Sequence, residues 1–101
     1  MSTKNIKLSI ENNIATIYFN RPDQHNVINY DGWLKLKNTV EKIQINKDIK
    51  VLILRGEGNK SFSAGADIKE FSLSRNNSNQ AKEYSKAFDG SMDVIEKLQI
   101  P

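Results

Sequence analysis

The sequence predicts an α/β fold, in which a small sheet and two long helices form one domain. Three patterns support this class. Apolar and polar residues alternate over residues 6–11, with the period of a half-buried strand. Apolar residues recur at helical spacing between Trp33 and Ile43, and again in the last quarter of the chain. The run Val51 to Leu54 is apolar throughout, as in a strand that is covered on both faces.

A β-hairpin is predicted at the start of the chain. Residues 6–11 form its first strand and residues 14–19 its second. Asn12 and Asn13 lie between them and suit a tight turn. Pro22 then interrupts the sheet pattern, because proline has no N–H to donate to a neighbouring strand.

The first long helix is predicted to run to about Asn46, with Asn29 or Asp31 as its cap. Its buried stripe is expected to consist of four residues at helical spacing: Trp33, Leu36, Val40 and Ile43. We interpret Trp33 as a core residue, because aromatic residues in a helical stripe are more often core than part of a ligand site.

The second long helix is predicted from roughly residue 80 to residue 98. Its apolar stripe is expected to contain Tyr84, Phe88, Ile95 and Leu98, with Met92 nearby. One helical turn is expected from Ile68 to about Phe71, followed by a polar loop over residues 72–80. We find no internal repeat and no linker, so residues 1–101 form one domain in this interpretation.

Composition excludes some classes of function. The 101 residues contain no cysteine, which rules out disulfides, thiol catalysis and cysteine-bound metal. Lysine and arginine number 15 against 12 acids, a net charge of +3 that suits a polyanionic ligand and is also ordinary. The basic residues are scattered, so nucleic-acid binding is not favoured. No long apolar run follows Met1, and we therefore expect a cytoplasmic protein without a membrane span.

The most informative segment is residues 62–68, Phe-Ser-Ala-Gly-Ala-Asp-Ile, which follows the apolar run and its loop. Small side chains in a row let a backbone approach a ligand closely, and Asp67 can accept hydrogen bonds at a helix start. Such a segment can present backbone N–H groups to a carbonyl oxygen. The alternative is a tight strand-to-helix turn that only needs small residues. The preceding loop, residues 56–61, lacks the spacing of a phosphate-binding motif and is interpreted as a surface loop.

This segment resembles a run that the enoyl-CoA hydratase/isomerase (crotonase) superfamily carries after its third strand. A second motif agrees: residues 19–29, Phe-Asn-Arg-Pro-Asp-Gln-His-Asn-Val-Ile-Asn, are similar to the family's Leu-Asn-Arg-Pro-x-x-x-Asn-Ala-Leu-x. The resemblance extends from about Ile6 to Pro101. It implies the N-terminal half of the crotonase-like (ClpP/crotonase) ββα superhelix, which is an α/β fold.

The resemblance also implies a set of site residues. The backbone amide of Ala66 would be one of two donors in an oxyanion hole for a thioester carbonyl. Contacts to coenzyme A would come from the same segment and from the earlier loop: Ala64, Gly65, Ala66, Asp67, Ile68, Lys69, His25 and Asn26. No metal ligand and no prosthetic group are implied, since coenzyme A arrives as part of the acyl-CoA substrate.

Three of these residues carry alternatives. Lys69 would approach the cofactor's phosphates as a point charge, but an exposed lysine without a partner is an equal interpretation. His25 replaces the apolar residue usual in the family, and we interpret it as loop packing or a pocket wall, with general base as a minor alternative. Asn26 is expected to fix its loop through side-chain hydrogen bonds to the backbone rather than to touch substrate.

The function implied is that of the N-terminal part of an acyl-CoA hydratase or isomerase that stabilises an enolate. The family's catalytic glutamates and its second, Gly-rich oxyanion donor cannot be identified in residues 1–101, so it stays open whether this chain alone is an enzyme. The alternative is a truncated, non-catalytic protein for acyl-CoA binding or interaction. The expected partners are an acyl-CoA thioester and either further copies of the chain or a complementary C-terminal half.

Overall fold

A computed structural model describes residues 5–67 and 78–101 of the chain. It contains three strands, two long helices and one short 3-10 helix. In chain order these are β1 (Ile6–Glu11), β2 (Ile14–Phe19), the 3-10 helix (Pro22–Gln24), α1 (Tyr30–Ile45), β3 (Val51–Gly56) and α2 (Ser78–Glu96). The α/β class and the order of these elements are confirmed. Residues 78–80, predicted as loop, are helical, and the turn predicted from Ile68 to Phe71 lies outside the described residues.

The sheet has the order β1-β2-β3, with an antiparallel first pair and a parallel second pair. The hairpin turn is the predicted one: Asn12 and Asn13 have φ values of 53° and 69°. Two consecutive residues at positive φ define the turn type whose twist matches antiparallel strands, and asparagine tolerates that conformation well. The parallel pairing then requires a crossover, which α1 supplies between β2 and β3.

The core lies between one face of the sheet and the two helices. The inward residues of β2 alternate as Ala15, Ile17 and Phe19, which are at most 4% exposed. They pack in one cluster with the predicted stripe of α1, all four members of which are buried: Trp33, Leu36, Val40 and Ile43. Asn29 caps α1 by accepting a hydrogen bond from the Gly32 amide at 2.8 Å, which decides between the two predicted caps.

The apolar stripe predicted for α2 is buried only in part. Phe88 and Met92 are 38% and 40% exposed, whereas Ala87 and Ser91 are buried together with Tyr84. Tyr84 and Ala87 belong to the hydrophobic core, and Phe88 contacts Trp33 from a more exposed position. Within residues 5–67 and 78–101, neither long helix has the length and apolar content needed to cross a bilayer.

Trp33 and Tyr84 join the two helices directly. The indole Nε1 donates a hydrogen bond to the Tyr84 hydroxyl at 3.0 Å, so the polar atoms of both buried rings are paired. The Phe88 ring packs edge-on against Trp33 with the ring centroids 4.8 Å apart. The interpretation of Trp33 as a core residue is confirmed.

Candidate functional site

Two loops that are distant in sequence meet beside the sheet, and each contains one of the two sequence motifs. Ile28 and Ala66 form an isolated parallel β-bridge. The Ile28 amide donates to the Gly65 carbonyl at 2.8 Å, and the Asp67 amide donates to the Ile28 carbonyl at 2.9 Å. The structure therefore joins the segments that the sequence singled out.

This bridge determines where the Ala66 amide points. In a trans peptide the carbonyl and the following N–H lie on opposite sides of the plane. Because the Gly65 carbonyl faces Ile28, the Ala66 N–H in the same peptide plane points away from Ile28. The bridge thus orients the Ala66 amide, although the Ala66 N–H is not a donor in either hydrogen bond of the bridge.

The neighbouring amides are all occupied. Ala64 donates to the His25 carbonyl at 2.9 Å, Gly65 to the Ser63 Oγ at 3.0 Å, and Asp67 to Ile28. The Ala66 N–H donates to no acceptor among the residues that the structure describes. Of four consecutive amides, one is therefore available to an incoming acceptor.

Gly65 allows the backbone to take this course. Its φ is +91°, a conformation that L side chains rarely adopt, and a Cβ built on it would meet no described atom within 4 Å. The glycine is required by its backbone angle rather than by crowding. No other atom of residues 5–67 and 78–101 fills the space beside it.

Asn26 connects three loops from a fully buried position, with 0% of its surface exposed. Its Nδ2 donates to the carbonyls of Glu57 and Ser61 at 3.1 and 2.9 Å, and its Oδ1 accepts from the Arg21 amide at 2.9 Å. The expected loop-fixing role is confirmed. A contact between Asn26 and coenzyme A stays a prediction. Every polar atom of the Asn26 side chain is already paired inside the protein, so such a contact would involve the main chain of this loop.

Arg21 and Asp67 form an ion pair across the two motifs. The Nη1 of Arg21 lies 3.0 Å from Oδ2 of Asp67, and the two side chains are only 20% and 17% exposed. The Nη2 of the same guanidinium donates to Gln24 at 2.8 Å. Asp67 thus ties the segment that carries Ala66 to the motif at residues 19–29.

The remaining predicted site residues are placed only in part. His25 has an exposed side chain and a φ of +54°, and its main-chain carbonyl receives the Ala64 amide. Its contribution here comes from the backbone, and the prediction that it borders a pocket is not tested. Ile68 and Lys69 lie outside the described residues.

The loop after β3 packs its backbone against Gly56. A Cβ at this position would lie 2.2 Å from the Ser61 carbonyl oxygen and 2.3 Å from that of Phe62. Main-chain carbonyls, rather than amides, are turned toward Asn26, so this stretch is built unlike a phosphate-binding loop. The interpretation of residues 56–61 as a structural surface loop is consistent with this packing.

The same loop is joined to β1 by an ion pair that involves Lys7. Its ammonium forms an ion pair with Glu57, and the hydrogen bond within this pair lowers the pKa of Glu57 below its ordinary value of 4.5. The Gly58 amide and the nearby charge of Arg55 lower the pKa of Glu57 further. Both side chains are more than a third exposed, so the pair restrains the loop only weakly.

Three residues that order the site received no role from the sequence: Arg21, Ile28 and Ser63. Arg21 and Ile28 belong to the motif at residues 19–29. Their place in that motif was the signal that the sequence offered. Ser63 is one of several small residues, and nothing in the sequence distinguishes its hydroxyl. Its Oγ donates to the Asn26 carbonyl at 2.8 Å while accepting from Gly65.

The fold and site define a partial α/β domain in which two loops join around a backbone amide that has no acceptor among the described residues. A family model described as enoyl-CoA hydratase/isomerase matches residues 9–101. The chain belongs to the enoyl-CoA hydratase/isomerase family, and its elements form the N-terminal part of the crotonase fold. The sequence-based recognition and fold class are thereby confirmed.

Two curated relatives illustrate the similarity. The chain is 41% identical over 68 residues to a crotonyl-CoA hydratase of Syntrophomonas wolfei, a match that covers 67% of this chain and 26% of the relative. It is 36% identical over 70 residues to a short-chain-enoyl-CoA hydratase of Clostridium acetobutylicum, covering 69% of this chain and 27% of that protein. The chain therefore matches about a quarter of the length of these relatives.

Solved structures agree over nearly the whole chain. An enoyl-CoA hydratase/carnithine racemase of Magnetospirillum magneticum superposes with a TM-score of 0.89 at 40% identity, covering 99% of this chain and 38% of that one. An enoyl-CoA hydratase of Bacillus anthracis gives a TM-score of 0.86 at 29% identity, covering 97% and 38%. The similarity includes both motif loops, since almost all of this chain is aligned in each case.

Proposed function

We propose that this chain forms part of the acyl-CoA pocket of an enoyl-CoA hydratase or isomerase, and that the Ala66 amide is one donor of its oxyanion hole. One observation carries the proposal: the Ala66 N–H is oriented by the Ile28 bridge and has no acceptor among the described residues. The names of the relatives support a thioester substrate, since they are hydratases of crotonyl-CoA and short-chain enoyl-CoA.

The chemistry follows from what such a donor does. When a thioester is attacked or deprotonated, negative charge develops on its carbonyl oxygen. A backbone N–H that is already oriented stabilises this charge without reorganising, and one such donor contributes roughly 10²–10³ in rate. The protein's own hydrogen bonds hold the flanking amides at Ala64, Gly65 and Asp67, so the carbonyl oxygen meets one defined donor in this segment.

The proposed coenzyme A contacts surround this donor. They are the main chain at Ala64, Gly65 and Ala66, the loop at His25 and Asn26, and, by resemblance, Asp67, Ile68 and Lys69. The mild positive charge of the chain, +3, is compatible with a ligand that carries several phosphates. Asn26 would contribute by holding the loop, because its own polar atoms are paired.

Turnover requires groups that we do not assign to these 101 residues. A hydratase needs a general acid and base, and an oxyanion hole needs a second donor. We therefore propose that the chain alone binds acyl-CoA but does not hydrate crotonyl-CoA above the buffer rate. Activity would require a complementary C-terminal half, and further copies of the chain are the other proposed partner.

The test is a calorimetric titration of the chain with coenzyme A and with acetyl-CoA, which differ by the thioester carbonyl. We expect acetyl-CoA to bind more tightly and to shift the Ala66 amide resonance in a nitrogen–proton correlation spectrum. The variant Ala66→Pro removes the N–H and should abolish the preference for acetyl-CoA. Ala66→Ser keeps the N–H at similar volume and should retain the preference.

Circular dichroism of both variants verifies that the fold is kept before affinities are compared. Equal affinities of the wild-type chain for the two ligands, with an unmoved Ala66 resonance, would refute the oxyanion role. Binding that persists without turnover after a C-terminal half is supplied would instead support the non-catalytic alternative.

A further inference from the structure

We propose that Ser63 is a positioning residue: its hydroxyl occupies the Gly65 amide, so that among the backbone amides of residues 64–67 only the Ala66 N–H has no acceptor within the described part of the chain. The inference deepens the proposed function and rests on it for its consequence in ligand binding. Its structural part concerns only hydrogen bonds inside the chain. The two parts are therefore testable separately.

The hydroxyl of Ser63 is hydrogen-bonded to a residue that is itself held by several hydrogen bonds. It donates to the main-chain carbonyl of Asn26 at 2.8 Å. Asn26 is fully buried and tied to Glu57, Ser61 and Arg21. A hydroxyl has one hydrogen to donate, so donation to Asn26 turns its lone pairs toward other donors. The Gly65 amide lies at 3.0 Å and uses one of them.

Gly65 is the residue whose backbone most needs such a restraint. Glycine reaches many conformations at similar cost, and this one has a φ of +91°. The peptide between Gly65 and Ala66 carries the proposed donor. Ile28 holds the carbonyl of Gly65 at 2.8 Å, while Ser63 holds its amide at 3.0 Å. With both polar groups of Gly65 bonded, the Ala66 N–H keeps its direction.

Loss of the hydroxyl would have two consequences. The peptide planes on both sides of Gly65 would gain freedom, which spreads the orientation of the Ala66 N–H. The Gly65 N–H would also become a second unsatisfied donor next to the first. Both changes weaken a site that depends on one correctly aimed group, because a misplaced donor stabilises developing charge less well.

The first experiment measures amide hydrogen exchange in the 101-residue chain with Ser63→Ala and Ser63→Thr. We expect Ser63→Ala to accelerate exchange at Gly65 by about two- to tenfold, the range set by one net hydrogen bond. Ser63→Thr retains a hydroxyl and should restore slow exchange. Ser91→Ala is the matched control, since it removes a hydroxyl bonded to a carbonyl at 2.8 Å in α2, far from the site.

The second experiment titrates the same variants with acetyl-CoA and with coenzyme A. Ser63→Ala should weaken acetyl-CoA binding by about two- to tenfold while leaving coenzyme A binding unchanged, because only the thioester ligand has the carbonyl. Ser91→Ala should change neither affinity. A role in general folding would instead weaken both ligands alike.

The inference is overturned if Gly65 exchange in Ser63→Ala equals that of the wild type, or if Ser63→Ala weakens both ligands equally. A wild-type chain that binds neither ligand would refute the proposed function. The Gly65 exchange rates in Ser63→Ala and Ser63→Thr would then decide by themselves whether Ser63 holds this amide. Failure of the inference and failure of the proposed function are therefore distinguishable.

Discussion

The guanidinium of Arg21 lies 3.0 Å from the carboxylate of Asp67, 46 residues away in sequence. Both partners belong to the segments that define the family resemblance, so the ion pair links the two motifs through their side chains. Because both side chains are mostly buried, the pair is less screened by solvent than a surface salt bridge. The ion pair joins the loop after β2 to the segment that contains Ala66.

We predict that Arg21→Gln lowers the free energy of unfolding by about 1–2 kcal/mol, because it removes one charged partner of the mostly buried Asp67 carboxylate. Asp67 makes other interactions as well, so Asp67→Asn alone would not measure the pair. A double-mutant cycle with Arg21→Gln and Asp67→Asn, followed by urea denaturation, isolates the coupling. Additive effects of the two substitutions would show that the pair contributes nothing.

Asn26→Asp should be among the most destabilising isosteric changes in the chain. The carboxylate cannot donate to the Glu57 and Ser61 carbonyls, and it would place a charge at a position with 0% exposure. We expect a loss of about 3 kcal/mol or more in the free energy of unfolding. Urea denaturation measures this loss.

His25→Asn is the matched control for Asn26→Asp. It alters an exposed side chain at the preceding position, where asparagine tolerates the positive φ of 54°. Its effect should stay within about 0.5 kcal/mol. Equal losses from the two substitutions would contradict the role of Asn26 as the hydrogen-bonding centre of the loops.

Two glycines should respond differently to alanine. At Gly56 a methyl group would lie 2.2 and 2.3 Å from two main-chain oxygens, so the loop must move. At Gly65 no described atom would lie within 4 Å of the added methyl group, and the expected cost comes from the φ of +91°. We expect Gly56→Ala to cost about 3 kcal/mol or more and Gly65→Ala about 1–2 kcal/mol, as measured by denaturation. A larger loss at Gly65 than at Gly56 would contradict this order.

Local patterns in the sequence predicted the elements well, and contacts between loops were not predictable. The strands, the Asn12 and Asn13 turn and the stripe of α1 each depend on residues close in sequence, so periodicity reveals them. Helical spacing predicted an apolar stripe on α2, but spacing alone does not show that Ala87 and Ser91 are buried while Phe88 and Met92 are 38% and 40% exposed.

The candidate site shows the same division. The family resemblance indicated Ala66, and the Ile28 bridge that orients its amide depends on where two distant loops meet. The sequence does not indicate a role for the hydroxyl of Ser63, because many small residues would suit a tight turn equally well. Its importance follows from the acceptor and donor on either side, which only the folded chain brings together.

The pH dependence of stability should include a small contribution from Glu57. Its pKa is lowered in the folded chain, chiefly by the hydrogen bond from Lys7, so the folded state binds this proton less readily than the unfolded state. The contribution is present above the ordinary pKa of 4.5 and is lost as the pH falls through the lower folded value. An NMR titration of Glu57 should show its pKa rise toward 4.5 in Lys7→Gln.

The same titration at high salt provides a control for the Lys7 pair. Both side chains are substantially exposed, so added salt should reduce the difference between wild type and Lys7→Gln. An unchanged Glu57 pKa in Lys7→Gln at low salt would contradict the assignment of the shift to Lys7.

Association of the chain should depend on the outer face of the sheet. Ile53 on β3 is 42% exposed, and its register partner on β2 is Thr16, which alternates with the inward residues Ala15 and Ile17. Ile14, 38% exposed, lies on the same face. Exposed apolar residues on an edge strand promote association. We therefore expect the wild-type chain to self-associate with rising concentration in sedimentation experiments, and Ile53→Lys to reduce this at least severalfold.

Ile45→Lys is the matched control for this last prediction, because it makes the same change at the end of α1, on the opposite side of the sheet, where the side chain is 80% exposed. It should leave association unchanged, although its side chain is more exposed than that of Ile53. Equal effects would mean that exposed apolar area alone drives association, with no role for the sheet. A wild-type chain that stays monomeric at every concentration would contradict the prediction itself, since the exposed Ile14 and Ile53 would then be stable in water without a partner.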